Sequence, residues 1–279
     1  MSLTQISARI RANLKIPTIP EVVHRIMKLT QDPNVGTGEI GQAIAQDPEM
    51  SAKLLKVANS AFYGLRTPCL SAEHASTVLG MRVLKSIVSQ VAVMDMFDSV
   101  EGGSAFDVRD LWEHSIRTGH VASFLHRKST APSEIESDEL YMCGLLHDIG
   151  KMVLLDQMKG EYLEVVEASM KANIPSYRLE QDRFGFTHTE VGGVLGSHWN
   201  LPEVVVDAIT RHHMDRREIV EMPVTVTVAC ADQLVRCVEN EQWPACYAIF
   251  DGDVKRLLGL SDGSVEEIIT FAKELEVEL

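Results

Sequence analysis

The sequence lacks long hydrophobic runs. None of its 279 residues lies in an uninterrupted apolar stretch approaching the length of about 18 residues that indicates a membrane-spanning helix. The amino-terminal segment, MSLTQISARIRANLKIP, has no apolar core of the kind that a secretory signal peptide carries. We therefore expect neither a membrane span nor export, and no membrane partner.

Cysteine is also scarce. There are five cysteines, an odd number, and none forms a CxxC pair with another. Their apolar or helical surroundings are typical of reduced, mostly buried thiols, which predicts a cytoplasmic protein rather than a disulfide framework. These residues are Cys69, Cys143, Cys230, Cys237 and Cys246.

Aromatic residues make up only 6% of the chain, whereas the overall hydrophobic content of 45% and charged content of 24% are ordinary for a globular protein. The apolar residues are mainly Met, Leu, Ile, Val and Ala. This composition favours packed helices over a β-sandwich or barrel. The length suits one large domain or two lobes that share an interface.

Positive charge is in deficit: the net charge is −14. Such an acidic surface repels phosphate backbones, so we expect no nucleic-acid partner. A small phosphorylated ligand is still compatible with this charge, because a bound metal ion supplies positive charge locally.

Helical periodicity, interrupted by Pro, Gly, Asn and Asp, runs through the first part of the chain. A break near Gly80 divides the last predicted helix of this part, and EGGSAFD (101–107) forms a flexible spacer after it. The predicted helices cover 3–14, 20–31, 37–46, 48–60 and 71–97.

The second part is predicted to be helical as well. The segment VTVTVAC (224–230) alternates as a strand would, but no partner strand is evident, so we interpret it as the start of a buried helix. Ser137 can cap one helix, and the last one begins at the capping box Ser264-Val-Glu-Glu267. The helices cover 107–129, 137–155, 159–173, 176–184, 188–199, 202–214, 224–240, 245–259 and 264–279. The predicted lobes are 1–102 and 103–279.

The adjacent residues His147 and Asp148 are the clearest candidates for chemistry. An imidazole and a carboxylate can hold one divalent ion if the helix bends locally. Mixed nitrogen and oxygen ligands favour Mn, Fe, Co, Ni or Zn over Ca, without choosing among them. Gly150 leaves room for close approach of a backbone or ligand, and Lys151 lies on the same helical side, where its ammonium could meet a phosphate oxygen.

A lone His-Asp pair is more often a buried hydrogen bond than a metal site. Five further residues favour the metal site: His114 in mid-helix, His188 at a helix start, His212 and His213 at a helix end, and Asp232 in an apolar run. A carboxylate in such a run is costly to bury unless it is paired or metal-bound. The joint order H…HD…H…HH…D is far less expected by chance than any one residue.

This order of residues resembles that of the HD superfamily of metal-dependent phosphohydrolases. The surrounding sequence is similar to the HDOD branch of this superfamily, a family of bacterial signalling-output domains. The resemblance covers about residues 14–240 and implies an all-α bundle with two subdomains. The segments that carry it are IPTIPEVVHRIMKL (16–29), IAQDPEMSAKLLKVANSAFYG (44–64), LWEHSIRTGHVASFL (111–125), GLLHDIGKMVLL (144–155), FGFTHTEVGGVLGSHWNLPEVVVDAI (184–209) and RHHM (211–214).

The resemblance also implies a ligand set. One divalent ion would be held by His114, His147, Asp148 and Asp232. Asp148 could bridge to a second ion, held by His188 with His212, His213 or both. Lys151 would face the substrate phosphate, so that Asp148 and Lys151 are the candidate catalytic residues. Glu113 and Glu190 could orient neighbouring histidines, although exposed helix-face residues are the simpler interpretation.

Two functions stay open at this point. The complete ligand set favours a metal-dependent phosphohydrolase that acts on a nucleotide or another phosphoester. The segment HHMDRREIVEMP (212–223) lacks the glycine-tyrosine-proline signature of the related HD-GYP phosphodiesterases, and many HDOD domains have lost ligands. The alternative is therefore a non-catalytic output module that binds a signalling partner and carries a structural or vestigial metal site.

Overall fold

The computed structural model describes residues 8, 10–18, 35–59, 65–103, 106–131, 135 and 137–277. Within these residues the chain is helical without any β-strand, apart from one isolated bridge between Gly103 and Phe106. The predicted all-α fold is confirmed. No helix in this part of the chain is long and apolar enough to cross a membrane.

The chain divides into two compact units, Ile19–Asp98 with Leu275–Leu279 and Met1–Thr18 with Ser99–Glu274. The predicted division into lobes at residue 102 remains a prediction. The predicted helix 20–31 lies outside the described residues, as does most of 3–14, although residues 10–13 are helical.

The described part of the smaller unit contains three helices, α1 (Thr37–Ala45), α2 (Pro48–Ala58) and α3 (Ala72–Met96). Gly80 interrupts α3 with a positive φ of 76°, a conformation that glycine adopts without steric cost, and this confirms the predicted break. The three helices pack around buried aliphatic side chains, which include Ile40, Ile44, Leu54, Leu84 and Ile87.

In the larger unit, the first helices after residue 98 are α4 (Val108–Lys128) and α5 (Ser137–Leu146). The two helices meet at Gly119 and Gly144: a Cβ atom on Gly144 would lie 2.6 Å from the Cα of Gly119. This contact between backbones is open only to glycine. It brings the middle of α4 close to the end of α5. The candidate ligand His114 lies on α4, and the candidate ligand His147 directly follows α5.

The segment after α5 differs from the prediction of one helix over 137–155. The chain turns at His147 and Asp148, where Asp148 has φ −100° and ψ 10°, and a new helix α6 (Ile149–Ala172) begins. Helix α6 continues through a kink at Met158 into the predicted helix 159–173. Gly150 lies against the next part of the site, since a Cβ there would be 1.9 Å from the carbonyl oxygen of His188. This is the close approach of another backbone predicted for Gly150.

Seven further helices follow: α7 (Ser176–Phe184), α8 (His188–His198), α9 (Glu203–Arg211), α10 (Pro223–Glu239), α11 (Trp243–Ala248), α12 (Gly252–Leu258) and α13 (Asp262–Glu274). Helix α10 includes the buried VTVTVAC segment, which confirms its interpretation as helix.

Three predicted bounds were wrong for local reasons. The prediction 202–214 is too long, because α9 ends at Arg211 and leaves two histidines in a turn. The helix predicted over 245–259 is two helices, because the Asp251 side chain accepts hydrogen bonds from two backbone N–H groups and caps α12. Helix α13 begins before Ser264, whose N–H donates to the Ser261 hydroxyl at 3.0 Å.

Candidate metal centre

Five elements of the larger unit bring the predicted ligands together. They come from mid-α4, the α5–α6 turn, the start of α8, the turn after α9 and the middle of α10. His213 is partly exposed, and the other six are buried. These residues are His114, His147, Asp148, His188, His212, His213 and Asp232.

One half of the cluster joins α4, the α5–α6 turn and α10. The Nε2 atom of His114 lies 2.9 Å from Asp232 Oδ1. The Nε2 atom of His147 lies 3.5 Å from that same oxygen and 3.3 Å from Asp148 Oδ2. Adjacent ligands of one ion, each bound at about 2.1 Å, are separated by about 3 Å. The three separations are close to this value, and the donor atoms of His114, His147 and Asp148 all lie within 4.8 Å of one another.

The other half forms around the second oxygen of Asp148. The Nε2 atom of His188 lies 3.1 Å from Asp148 Oδ1, and that of His212 lies 3.6 Å from it. His213 offers a ring nitrogen within 4.8 Å of the other three donors and stacks on the ring of Tyr177, 4.7 Å between centroids. Asp148 is thus shared by both halves, which is the arrangement that a carboxylate bridging two ions requires.

His147, His188 and His212 have fully buried side chains, and each directs its Nε2 atom at Asp148. Their Nδ1 atoms have acceptors: the Gly144 carbonyl for His147 at 2.6 Å, the Glu180 carboxylate for His188 at 2.7 Å, and the Ile209 carbonyl for His212 at 2.9 Å. A proton on Nδ1 leaves the lone pair of Nε2 free to bind a metal.

Those Nε2 atoms and Asp148 Oδ1 are buried without a hydrogen-bond partner among the described residues. Buried polar atoms of native proteins nearly always have a partner. When Nδ1 carries the proton, His188 Nε2 and Asp148 Oδ1 are both acceptors, only 3.1 Å apart. A cation between them removes this conflict, so the residues present fit a divalent ion.

Two fixed cations contact the same carboxylates. Lys151 Nζ donates to Asp148 Oδ2 at 2.6 Å. Arg236, one turn beyond Asp232 on α10, donates from Nε to Asp232 Oδ1 at 2.7 Å and from Nη2 to Asp148 Oδ2 at 3.3 Å. The ammonium predicted to face a phosphate therefore lies against Asp148 in this structure.

Charges in the cluster shift the pKa values of its members in opposite directions. Burial opposes ionisation of Asp148, but the charges of His147 and Lys151 hold the pKa of its carboxyl well below the usual range. Burial likewise opposes the charged form of His147, and the adjacent Asp148 and Asp232 outweigh it and raise its pKa to about 9. Burial lowers the pKa of His212 to about 4. The cluster therefore combines ionised carboxylates with at least one neutral imidazole at neutral pH.

The sequence interpretation missed three residues of this network: Glu180, Arg236 and Glu239. Glu239 lies 3.2 Å from His114 Nδ1. Only Arg236 has a sequence signal, its i+4 spacing from Asp232. The suggested orienting residues have other roles: Glu113 pairs with Arg109 at 3.2 Å, and Glu190 forms a capping box with Thr187.

Comparison with known proteins finds similarity along most of the chain. A family model described as "HDOD domain" matches residues 16–214. An uncharacterized protein of Treponema pallidum (strain Nichols) is 30% identical over 227 residues, which is 81% of this chain and 43% of that protein. The chain thus spans less than half the length of this relative.

Solved structures share the fold. An HDOD domain protein of unknown function from Geobacter sulfurreducens is 25% identical with a TM-score of 0.75, over 99% of this chain and 98% of that one. A candidate phosphohydrolase from Shewanella amazonensis SB2B is 19% identical, TM-score 0.73, covering 96% and 93%. A candidate signal transduction protein from Marinobacter aquaeolei VT8 is 20% identical, TM-score 0.72, covering 96% and 62%. The last two similarities, at this identity, show the fold alone.

Proposed function

The chain belongs to the HDOD domain family, and we propose that it is a signalling protein whose histidine–aspartate cluster binds divalent metal and hydrolyses a phosphoester. The observation that carries the proposal is the set of buried Nε2 atoms, without hydrogen-bond partners among the described residues, that surround the Asp148 carboxylate. Those of His188 and His212 lie near its Oδ1 atom, and that of His147 lies near its Oδ2 atom.

In this proposal the cluster holds one or two transition-metal ions, of Fe, Mn, Ni, Co or Zn. Bound ions would supply water activated for attack at phosphorus and neutralise charge on the phosphoester. The first ion would be held by His114, His147, Asp148 and Asp232. The second would be held by Asp148, His188, His212 and His213.

The protein's own groups would prepare this chemistry. Lys151 holds one oxygen of Asp148 at 2.6 Å, which leaves the other oxygen directed at His188. The side chains of Asp148, His147 and His188 are fully buried, so bulk solvent does not reach their lone pairs, which face other polar atoms of the cluster. Lys151 would also supply positive charge to a phosphoryl group next to Asp148.

Metal analysis and hydrolysis assays test the proposal together. The purified protein should contain a transition metal by elemental mass spectrometry and should cleave phosphomonoesters or nucleotides. His147→Ala and Asp148→Ala should lose metal and turnover while circular dichroism stays helical. The matched control is His126→Ala, which alters a histidine of the same unit, 12 residues beyond His114 along α4. Failure of the wild type to retain or rebind any transition metal would exclude the enzyme.

A second candidate function is supported by the fixed cations. Lys151 and Arg236 already contact the oxygens Asp148 Oδ2 and Asp232 Oδ1, so much of the buried negative charge has a partner without any metal. The chain would then be a non-catalytic output module that binds a signalling protein. A metal-loaded wild type that cleaves no nucleotide or generic phosphoester would favour this module.

The remaining parts of the proposal concern location and ligands. The five cysteines are free, which is typical of a reducing compartment, and we therefore propose a cytoplasmic location. A phosphorylated small molecule or nucleotide is the proposed substrate, and the net charge of −14 speaks against a nucleic-acid partner.

A further inference from the structure

Arg236 is the exposed cation of the metal centre. Its side chain is 42% exposed, whereas those of Asp148 and Asp232, which it contacts, are 0% and 2% exposed. The other cation, Lys151, is only 9% exposed. A ligand that reaches the cluster from solvent therefore meets the guanidinium of Arg236 before the ammonium of Lys151.

The guanidinium has donors to spare. Arginine carries five N–H groups in a planar fork. Among the described residues, the acceptors of Arg236 are Asp232 Oδ1 for Nε and Asp148 Oδ2 for Nη2, and Nη1 has none. The two carboxylates thus fix the orientation of the fork, and its outer edge is free to donate to two oxygens of a phosphoryl group.

The charge of the site points to the same kind of ligand. Four carboxylates belong to the cluster, those of Asp148 and Asp232 together with Glu180 and Glu239 against the histidines. Lys151 and Arg236 offset two of them. Two divalent ions would then leave the centre with a net positive charge, which is costly in a buried site unless an anion enters.

We propose that Arg236 is the anion-recognising residue of this centre and binds a phosphoryl oxygen of the ligand, a role that rests on the proposed function and adds the group that selects for anions. Lys151, whose ammonium is buried against Asp148, would add positive charge from inside the cluster.

The test is a titration of inorganic phosphate into the Mn²⁺-loaded protein, followed by calorimetry. Arg236→Met should weaken phosphate binding by roughly 10- to 100-fold, as expected for loss of a charge-assisted hydrogen-bonded pair, while Mn²⁺ affinity changes by less than about threefold. Arg236→Lys, which keeps the charge without the fork, should fall in between. The control is Arg256→Met, which removes an 80% exposed arginine paired with Asp253 on α12 and should leave phosphate affinity unchanged.

The outcomes separate this inference from the proposed function. Unchanged phosphate affinity in Arg236→Met overturns the inference but does not contradict the proposed metal centre. Parallel loss of Mn²⁺ and phosphate also overturns it, because Arg236 would then only hold the two carboxylates. If the wild type binds no metal, the proposed function fails. The phosphate affinities of the metal-free wild type and of metal-free Arg236→Met are then compared, and equal affinities overturn the inference. A cooperative thermal unfolding transition shows whether each variant is folded. If Arg236→Met does not fold, the phosphate affinity of Arg236→Lys is compared with that of the wild type instead.

Discussion

Glu180 and His188 form a fully buried carboxylate–imidazole pair. Glu180 Oε2 lies 2.7 Å from His188 Nδ1 and accepts the backbone N–H of His188 at 2.7 Å as well. One carboxylate thus fixes both the start of α8 and the ring orientation that aims Nε2 at Asp148. Partners of this kind set the tautomer and basicity of metal-binding histidines.

We predict that Glu180→Ala lowers metal affinity by roughly 10- to 100-fold, the usual effect of removing such a partner. Glu180→Gln should lose less, because its amide oxygen still accepts from His188 Nδ1. Calorimetric titration of Mn²⁺ into chelator-treated protein gives the affinities, and ¹⁵N chemical shifts of the histidine ring report the tautomer.

The control for this prediction is Glu167→Ala, which removes a partly exposed glutamate paired with Lys171 on α6. It should leave the Mn²⁺ affinity as in the wild type. If Glu180→Ala binds Mn²⁺ as tightly as the wild type, the carboxylate has no part in orienting a ligand, and Glu180 serves only to hold α7 against α8.

Metal removal should destabilise the protein. A ligand that binds only the folded state at 100 times its dissociation constant adds about 2.7 kcal/mol to the unfolding free energy. We expect Mn²⁺ to raise the thermal midpoint of chelator-treated wild-type protein, and Asp148→Asn, which loses the bridging carboxylate, to show a much smaller rise. An equal rise in both proteins would place the stabilising ion outside the cluster.

Much of the candidate metal centre can be predicted from sequence because its candidate ligands come at distinctive positions of helices. The order of the histidines and Asp232 indicates the residues that the structure brings within coordination distance. Glu239 could not be predicted in this way: it lies 125 positions from His114, and no local periodicity links the two. Such partners depend on how helices pack, which one sequence does not reveal.

The turn at His147 and Asp148 shows the same limit within one segment. Half of the residues 140–155 are Leu, Met or Lys, which are good helix formers, so local preference predicts a continuous helix. The structure breaks it, and α6 then begins with Gly150 against the His188 backbone. Tertiary packing outweighs local helix propensity at His147 and Asp148, the two residues of this turn whose side chains belong to the cluster.

The contact between α4 and α5 gives a stability prediction. In Gly144→Ala the new Cβ would lie 2.6 Å from the Cα of Gly119, which is backbone and cannot rotate away. We expect the unfolding free energy to fall by about 1–3 kcal/mol, as for other overpacked interiors. In the control Gly160→Ala the Cβ meets no atom within 4 Å, so this variant of α6 should be more stable by about 0.5–1 kcal/mol. Urea unfolding measures both, and a Gly144→Ala protein as stable as the wild type would refute the close contact.

His120 provides a pH prediction outside the candidate ligands. It is buried on α4 beside the ring of Tyr141, 4.8 Å between centroids, and burial together with the charge of Arg127 lowers its pKa from 6.5 to about 3. Between these two values the unfolded chain binds a proton that the folded protein does not. Acidification therefore favours unfolding, and the stability that His120 contributes is present at pH 7 and lost progressively as the pH falls below about 6.5.

From these two pKa values, His120 should account for about 2 kcal/mol of the stability lost between pH 7.5 and pH 5. The buried carboxylates add their own acid sensitivity, so the informative quantity is the difference between the wild type and His120→Gln, which carries no titrating ring. Urea unfolding at the two pH values should show a loss that is smaller by about this amount in His120→Gln. Equal losses in both proteins would mean that His120 is protonated without cost in the folded state, and that burial on α4 does not control its charge.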